Sequence, residues 1–493
     1  MPSRVIQSSE RLSAGNLRIA RESVARPGYD RTQLQRGIVH LGLGAFHRAH
    51  QALYTEKVIA QGDLRWGIVG VSLRDPRVPD VLAGQDHLYS VTERHGDEAH
   101  TRIVGALRGA LFAPRDLAQV IAAIADPTVS IVTSTVTEKG YSQNPASADL
   151  DIDNADVRHD LAHPESPRTT LGVLAAGIRN RPSGAPLTLV CCDNMAGNGD
   201  TLRKLLAQYA SMFDAKLARR IEREIGCPNS MVDRIVPAAT PASLDWAAER
   251  LGLRDEAAIV CEPFTQWVIE DRFASIRPAW EDAGALLTSD VRPYQAMKLR
   301  LLNGTHSALA YAGQLCGLET VADAMAHPLV GQFARRLMIE DLRATVAVPP
   351  GYDVLAYCHD LLKRFENPTL AHRTQQIAMD GTQKVPVRWL PALRESLAAG
   401  VERPQLERAL ASWLHYLSTG RSDSGAALVI SDPGAEALAA RLRQTANDMD
   451  AANAALAHSP VFGLQPWPPA FVERLAGHLS TLRRGGMTAL LSP

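Results

Sequence analysis

Short apolar, β-branched runs alternate with helical patterns along the first part of the chain. The runs are GIVHLGLG at 37–44, WGIVGVS at 66–72, VSIVTST at 129–135 and LTLVCC at 187–192. Runs of this kind are typical of strands that are buried on both faces of a parallel sheet. Helical spacing lies between them, as in DLAQVIAAI at 116–124. The alternation predicts a doubly wound α/β domain.

The pattern changes after about residue 290. Segments such as MKLRLLNGTHSALAYAGQL, FARRLMIEDLRATV and LERALASWLHYL have helical spacing and few strand signals. They predict a second domain that is mostly α-helical. A chain of 493 residues is also too long for one hydrophobic core. We therefore expect two domains, 1–290 and 291–493, with the polar stretch 142–167 as an excursion from the sheet.

The overall charge argues against several classes of partner. The net charge is −1, and 21% of the residues are charged. This balance provides no basic field that would attract nucleic acid or a membrane surface. The sequence has no apolar run long enough to span a bilayer, and its polar start lacks the apolar core of a signal peptide. We expect a cytoplasmic protein whose partner is a small molecule, and which binds neither nucleic acid nor membrane.

The six cysteines are scattered and form no CxxC pair. Zinc cages and disulfide frameworks both require clustered or regularly spaced cysteines. We therefore expect reduced thiols and no bound metal.

A glycine pair follows the first predicted strand directly. In Gly42-Leu43-Gly44-Ala45-Phe46, the glycines would let the backbone approach a pyrophosphate at the start of the next helix. The third glycine of the usual GxGxxG pattern is absent, and His47 occupies its place. A GxG also occurs in plain tight turns, so the motif leaves that alternative open. Its position between a strand and a helix favours dinucleotide binding.

The residue that would contact the ribose follows the second strand. Asp75 in VSLRDP is the best candidate, because a carboxylate there accepts from the ribose hydroxyls of NAD. Its neighbour Arg74 could instead favour the 2′-phosphate of NADP, and both could be a solvated loop pair. We expect NAD rather than NADP.

Three polar residues interrupt the apolar helix MKLRLLNGTHS. At about 100° per residue, Lys298, Asn303 and His306 lie on one side. A lysine buried there loses proton affinity and could act as a general base, an asparagine amide could donate to an oxyanion, and a histidine could orient either group. The alternative from spacing alone is a lysine that reaches solvent and a structural histidine.

Further polar residues follow buried runs in the first domain. Asn194 stands at the carboxyl end of a predicted parallel strand, where open α/β sheets bind ligands, although it could equally cap a helix. Asp233 and Glu262 are acids within apolar sequence, and such acids are often structural ion-pair partners.

Taken together, these segments resemble the mannitol dehydrogenase family of long-chain polyol dehydrogenases. The matching stretches cover nearly the whole chain in the family's order: IVHLGLGAFHRAHQALY, TVTEKGY, CDN, MVDRIVPAATP, CEPFTQWVIED and MKLRLLNGTHS. The resemblance implies a Rossmann-like N-terminal domain, a helical C-terminal domain and an active site between them. It also implies a metal-free, NAD-dependent oxidoreductase that acts as a monomer or small homo-oligomer.

The resemblance also implies a role for individual residues. Lys298 is the expected general base, Asn194 and Asn303 are the expected oxyanion donors, and His306 is expected to orient and bind substrate. Asp233 would line the sugar site. Glu138 and Glu262 would lie near the site and help protons or water leave.

The stretch HRTQQIAMDGTQKVPVR at 372–388 is most similar to family members that interconvert D-fructuronate and D-mannonate. We expect Arg373 and Lys384 to bind such a substrate, because a carboxylate removed from water needs a cation. Thr382 and Gln375 depart from the pattern of those members, where serine and tryptophan are expected. The alternatives are a neutral polyol such as mannitol or arabinitol, and a non-enzymatic sugar sensor that keeps the nucleotide fold.

Overall fold

The computed structural model describes residues 10–144, 147–349, 351–370 and 372–492. The chain divides into two compact units, Met1–Arg292 and Pro293–Pro493. Within the described ranges, every helix is too short or too polar to cross a membrane.

The first unit combines three sheets with nine α-helices in its described part. The strands are β1 (Arg36–Leu41), β2 (Gly67–Ser72), β3 (Tyr89–His95), β4 (Glu98–Val104), β5 (Leu107–Phe112), β6 (Ile131–Ser134), β7 (Leu187–Cys191), β8 (Ile225–Gly226), β9 (Ser230–Asp233), β10 (Ile259–Cys261), β11 (Gln266–Glu270) and β12 (Leu286–Thr288). The helices are α1 (Ala45–Ala49), α2 (Gln51–Ala60), α3 (Arg77–Ala83), α4 (Ala113–Ala125), α5 (Ala155–Ala162), α6 (Thr170–Asn180), α7 (Asn198–Ser211), α8 (Ala215–Glu224) and α9 (Pro241–Leu251).

The main sheet has the order β5-β2-β1-β6-β7-β8, and all of its neighbouring strands are parallel. The order reverses between β1 and β6, which is the arrangement of the Rossmann fold. The prediction of a doubly wound α/β domain is confirmed. The reversal point matters for function, because open α/β sheets bind their ligands outside the carboxyl ends of the strands at that point.

Separate apolar clusters cover the two faces of this sheet. Val39 and Leu41 of β1 pack in one cluster, and Ile38 of the same strand packs in the other. Successive side chains of a strand point to opposite faces, so a strand covered on both faces is apolar at nearly every position. This double burial explains the continuous apolar runs in the sequence.

Two small sheets accompany the main one, with strand orders β10-β3-β4 and β12-β11-β9. They contain both parallel and antiparallel pairs. Asp233 ends β9 and stands opposite Gln266 of β11. The second small sheet therefore determines where this acid lies.

The second unit is helical throughout its described part, as predicted. The helices from residue 292 onward are α10 (Arg292–Met297), α11 (Thr305–Leu315), α12 (Val321–Ala326), α13 (Pro328–Arg336), α14 (Val354–Phe365), α15 (Thr374–Ala378), α16 (Gly381–Arg388), α17 (Leu390–Ala398), α18 (Pro404–Thr419), α19 (Ala435–Arg443), α20 (Asp448–Leu456), α21 (Ser459–Phe462) and α22 (Pro469–Leu491). Helix α11 is almost entirely buried and packs against α12, α13, α15 and α18. A helix that is enclosed in this way is apolar on all sides, so its few polar residues stand out.

Candidate active-site residues

The turn after β1 brings the chain very close to the end of β6. Gly42 has a φ of +98°, and a Cβ at this position would lie 2.1 Å from the carbonyl oxygen of Thr135. Only glycine avoids both the backbone strain and the collision. Gly44 precedes the first residue of α1 and is exposed, so the backbone here is open to a ligand.

A cavity of about 920 Å³ opens beside this turn. Its wall includes Gly42, Gly44 and residues 72–75 after β2, together with residues 135–137 after β6. The excursion from the sheet also contributes to the wall through Asn154, Asp156, His159 and Ser166, and Arg168 follows directly after it. A glycine turn and a cavity at the reversal of strand order fit a dinucleotide.

Two predicted cofactor residues lie outside this wall. Ala45 and Phe46 are in the first turn of α1, and they pack partly buried against the core beneath. Phe46 also stacks on His50 with ring centroids 5.0 Å apart. They directly follow the glycine turn, and their role in cofactor binding stays a prediction.

Asp75 and Arg74 both line the cavity. The Asp75 carboxylate forms an ion pair of 2.5 Å with Arg77 and also accepts from the Arg77 backbone N–H. Hydrogen bonding to Arg77 lowers the pKa of Asp75, which keeps this carboxylate ionised. Arg74 is exposed and has no ion-pair partner among the described residues.

A hydrogen-bond network fixes the ends of β6 and β7. The Asp193 carboxylate accepts from the backbone N–H groups of Val136 and Thr137 at 3.0 and 2.8 Å, and from the Tyr141 hydroxyl at 2.6 Å. Burial raises the pKa of Asp193, whereas the bond from Tyr141 lowers it. The next residue, Asn194, is exposed at this edge, and so is Glu138 at the start of a 3-10 turn. The Asp193 carboxylate thus fixes the backbone of Val136 and Thr137, after β6, next to the strand end that is followed by Asn194.

Asp233, at the end of β9, and Glu262, directly after β10, are both buried. Asp233 and Glu262 are 3% and 2% exposed, and Glu262 accepts from the backbone N–H of Ile235 at 2.6 Å. Arg234, also buried, pairs with Glu93 at 2.6 Å and donates to the carbonyl oxygens of Glu262 and Ala49. Glu262 therefore has a structural contact, and Arg234 anchors the segment that follows Asp233.

The second unit presents Lys298 in an unusual helix. Lys298–Gly304 is π-helical and lies between α10 and α11, whereas the sequence pattern predicts a regular α-helix. A π-helix bonds residue i to residue i+5, so Lys298 and Asn303 lie one turn apart on the same side. Lys298 is only 7% exposed. π-Helical turns are frequent at functional sites, where they re-aim side chains.

His306 is surrounded by aromatic rings and cations. Its ring stacks on Phe365 at 5.1 Å and contacts His372 edge-on at 4.9 Å between centroids. Burial lowers its pKa well below the ordinary value, and His372, Arg388, Arg364 and Lys384 lower it further. The ring is therefore neutral, and its Nε2 has no hydrogen-bond partner among the described residues. One nitrogen is available to a ligand in cationic surroundings.

The predicted substrate-binding cations differ in their placement. Lys384 donates to the Ile377 carbonyl at 3.2 Å and is one of the charged groups that lower the pKa of His306, after burial, His372, Arg388 and Arg364. Arg373 precedes α15; its side chain is exposed and has no ion pair or hydrogen bond within the described part of the chain. Arg364 joins the group around His306 although the sequence analysis did not single it out. It is 8% exposed and comes from α14, the helix that ends shortly before Arg373.

No group of three or more histidine, cysteine or acidic side chains in the described ranges could hold a metal ion. All six cysteines are free thiols.

Comparison with known proteins covers both units. Residues 36–282 match the family model described as the mannitol dehydrogenase Rossmann domain, and residues 290–483 match its C-terminal domain. D-mannonate oxidoreductase of Escherichia coli (strain K12) is 43% identical over 83% of this chain and 85% of its own length. Mannitol 2-dehydrogenase of Cereibacter sphaeroides is 38% identical over 95% and 98%.

The fold agrees with solved structures over nearly its whole length. Mannitol 2-dehydrogenase of Pseudomonas fluorescens, in a ternary complex with NAD and D-mannitol, superposes with a TM-score of 0.88. It is 36% identical, and the match covers 98% of both chains. A substrate-free D-sorbitol dehydrogenase superposes with a TM-score of 0.89 at 32% identity, over 98% of this chain and 100% of its own. This chain therefore belongs to the mannitol dehydrogenase family and is an oxidoreductase that acts on CH–OH groups of polyols or sugar acids.

Proposed function

We propose that this enzyme interconverts a hexuronate ketone and a hexonate, D-fructuronate and D-mannonate, with NAD as cofactor and without a metal. The observation that carries the proposal is the cationic environment of His306. Arg364, Lys384 and Arg388 act on one neutral, buried histidine, and Arg373 nearby in sequence presents an unpaired guanidinium. A carboxylate bound beside this histidine would be attracted by the positive charge of these groups.

The charge of the substrate separates the two enzymatic alternatives. A uronate carries a carboxylate that pairs with guanidinium or ammonium groups, whereas mannitol or arabinitol has no charge to offer. The 43% identity to a D-mannonate oxidoreductase favours the sugar acid. The 38% identity to a mannitol 2-dehydrogenase keeps the neutral polyol as the second candidate.

The proposed roles follow from the chemistry of each group. Bound NAD would supply the hydride acceptor. On this chain, the Gly42–Gly44 backbone approaches the pyrophosphate, and Lys298 takes the proton of the alcohol. Asn194 and Asn303 donate to the developing oxyanion, since amide N–H groups stabilise negative charge in a site that excludes water. The Nε2 of His306 and the carboxylate of Asp233 bind substrate hydroxyls.

A substrate panel tests this function. We expect NADH oxidation with D-fructuronate to exceed that with fructose and xylulose at least about tenfold in kcat/KM, since a hydrogen bond to a charged group contributes about 1.5–3 kcal/mol. Tagaturonate, an epimeric uronate, tests whether the charge alone suffices. A preference for fructose would support the neutral-polyol alternative. NADH binding without turnover of any sugar would support a sensor.

Asp75→Ala is expected to lower the preference for NAD over NADP by about tenfold or more, because it removes a carboxylate that repels a 2′-phosphate. It also releases Arg77 from its ion pair, which leaves Arg74 and Arg77 free to attract that phosphate. The measurement is kcat/KM for both cofactors. Asp80→Ala is the control, because this substitution also removes one carboxylate. Asp80 pairs with Arg115, and neither residue belongs to the cavity wall. An unchanged ratio for Asp75→Ala would contradict the assignment.

Exhaustive EDTA treatment is expected to leave the activity intact. The proposed base is a lysine, and the cysteines show no zinc-binding spacing. The measurement compares kcat before and after chelation and dialysis. Loss of activity with recovery on adding zinc would refute the lysine mechanism.

A further inference from the structure

His40 lies near the end of β1, directly beneath the glycine turn, and is completely buried. Its Nδ1 is 2.7 Å from the Thr133 hydroxyl of β6. Its Nε2 is 3.0 Å from the Gly42 carbonyl and 2.9 Å from the Thr135 hydroxyl. The Thr135 hydroxyl in turn donates to the same Gly42 carbonyl at 3.0 Å. One ring therefore connects the end of β1 with the end of β6.

These partners determine the tautomer of the ring. A carbonyl oxygen can only accept, so the short contact with Gly42 requires a proton on Nε2 of His40. Nδ1 is then the acceptor, and the Thr133 hydroxyl donates to it. Burial lowers the pKa of His40 to about 3, so the ring is neutral under working conditions. The neutral ring of His40 therefore keeps its Nε2 proton and donates it to the Gly42 carbonyl.

The groups that His40 holds belong to the cavity wall. Gly42 and Thr135 both line the cavity, whereas Thr133 does not. The backbone around them is also fixed, since the Gly42 N–H donates to Val71 and the Thr135 N–H donates to Leu41. The carbonyl of Gly42 has no partner in a neighbouring strand; it accepts from the Gly44 N–H at 2.6 Å and from two side chains. His40 supplies one of the two side-chain donors, and the Thr135 hydroxyl supplies the other.

We propose that His40 is a positioning residue for the nicotinamide cofactor, which fixes the Gly42 carbonyl and the Thr135 hydroxyl in place before the cofactor binds. The proposal rests on dinucleotide binding at the Gly42 turn, as in the proposed function. A turn that is already ordered loses less entropy on binding, so the affinity rises.

His47 completes the arrangement. It occupies the position of the third glycine in the motif, and its ring stacks on His40 with centroids 3.4 Å apart. The hydrogen-bond partners of His40 in the described part of the chain are Thr133, Gly42 and Thr135, and His47 is not one of them. His47 therefore holds His40 by packing alone.

A matched pair of variants tests the proposal. The side-chain nitrogen of glutamine reaches the position of histidine Nε2, whereas asparagine reaches only that of Nδ1. We expect H40N to raise the Kd for NADH about tenfold and H40Q less than about threefold, the effect of about one hydrogen bond. Thr133→Val is the control, because it removes the partner of Nδ1 and leaves the cavity wall intact. It should lower Tm but keep Kd within about twofold.

The measurements are fluorescence titration with NADH, Tm, and kcat at saturating NADH. The proposal requires that Kd and KM for NADH change in H40N while kcat is largely retained. Equal Kd values in H40N, H40Q and the wild type would overturn it, and so would a Kd increase in Thr133→Val as large as that in H40N. Absence of NADH binding to the wild type would overturn both this proposal and the proposed function. Failure of this proposal alone would instead appear as NADH binding to the wild type that the His40 variants leave unchanged.

Discussion

Lys298→Ala is expected to lower kcat by about 10²–10⁴-fold, the usual contribution of a general base, and to leave the Kd for NADH within about threefold. The lysine is expected to act on the proton of the alcohol, not on the cofactor. Its side chain is buried at the start of the π-helical segment, so solvent cannot readily replace it. Single-turnover kinetics with saturating NADH would measure the chemical step, and fluorescence titration would measure cofactor binding.

Arg300→Ala is the matched control for this experiment. Arg300 lies in the same π-helical segment and carries the same charge, but it pairs with Glu395 at 2.6 Å and donates to the Thr345 carbonyl. We expect it to lower Tm and leave kcat nearly unchanged. A Lys298→Ala variant that keeps more than about a tenth of the activity would contradict the assignment of the base.

Arg373→Ala is expected to weaken the use of fructuronate by about 10- to 150-fold, which corresponds to about 1.5–3 kcal/mol for a hydrogen bond to a charged group. The guanidinium has no ion-pair partner in the described part of the chain, so a substrate carboxylate would be its first. The loss should appear mainly in KM if the contact is equally strong in the ground and transition states. Neutral ketoses should be affected far less.

Lys363→Ala provides the control for charge. Lys363 is an exposed cation in the same unit, and its partner is Asp360 at 3.6 Å. Lys363→Ala changes the net charge by the same amount as Arg373→Ala. Because Lys363 is an exposed charge, we expect kcat/KM for both substrates to stay within about twofold. If Arg373→Ala reduces fructuronate and fructose turnover by the same factor, Arg373 is structural and the carboxylate must rely on other cations.

The main sheet could be predicted from the sequence because burial on both faces leaves a direct pattern. Val39 and Leu41 pack on one side and Ile38 on the other, which requires a continuous apolar run. Gly42 could also be predicted, since a positive φ beside Thr135 admits little else. Both are local requirements on residue type, and local requirements are visible in one sequence.

Contacts between distant segments could not be predicted in this way. Arg364 reaches the surroundings of His306 from another helix, and nothing in the sequence near Arg364 indicates that. The bonds from Asp193 to Val136, Thr137 and Tyr141 depend on the neighbouring strand. An acid directly after a buried strand was the available signal for Asp193. The small sheets were missed because their strands are short and their patterns weak.

The π-helical segment also affects how many residues this helix contains. A π-helical turn contains one residue more than the α-helical turn that it replaces. Everything after Gly304 is therefore rotated by about 100°, one residue's angular step, relative to an uninterrupted α-helix. Deleting a single residue between Lys298 and Asn303 would remove this extra residue and allow the helix to return to the regular form, and the residues after Gly304 would keep their direction. The π-helical turn thus accommodates one residue without changing the phase of the helical residues on either side of it.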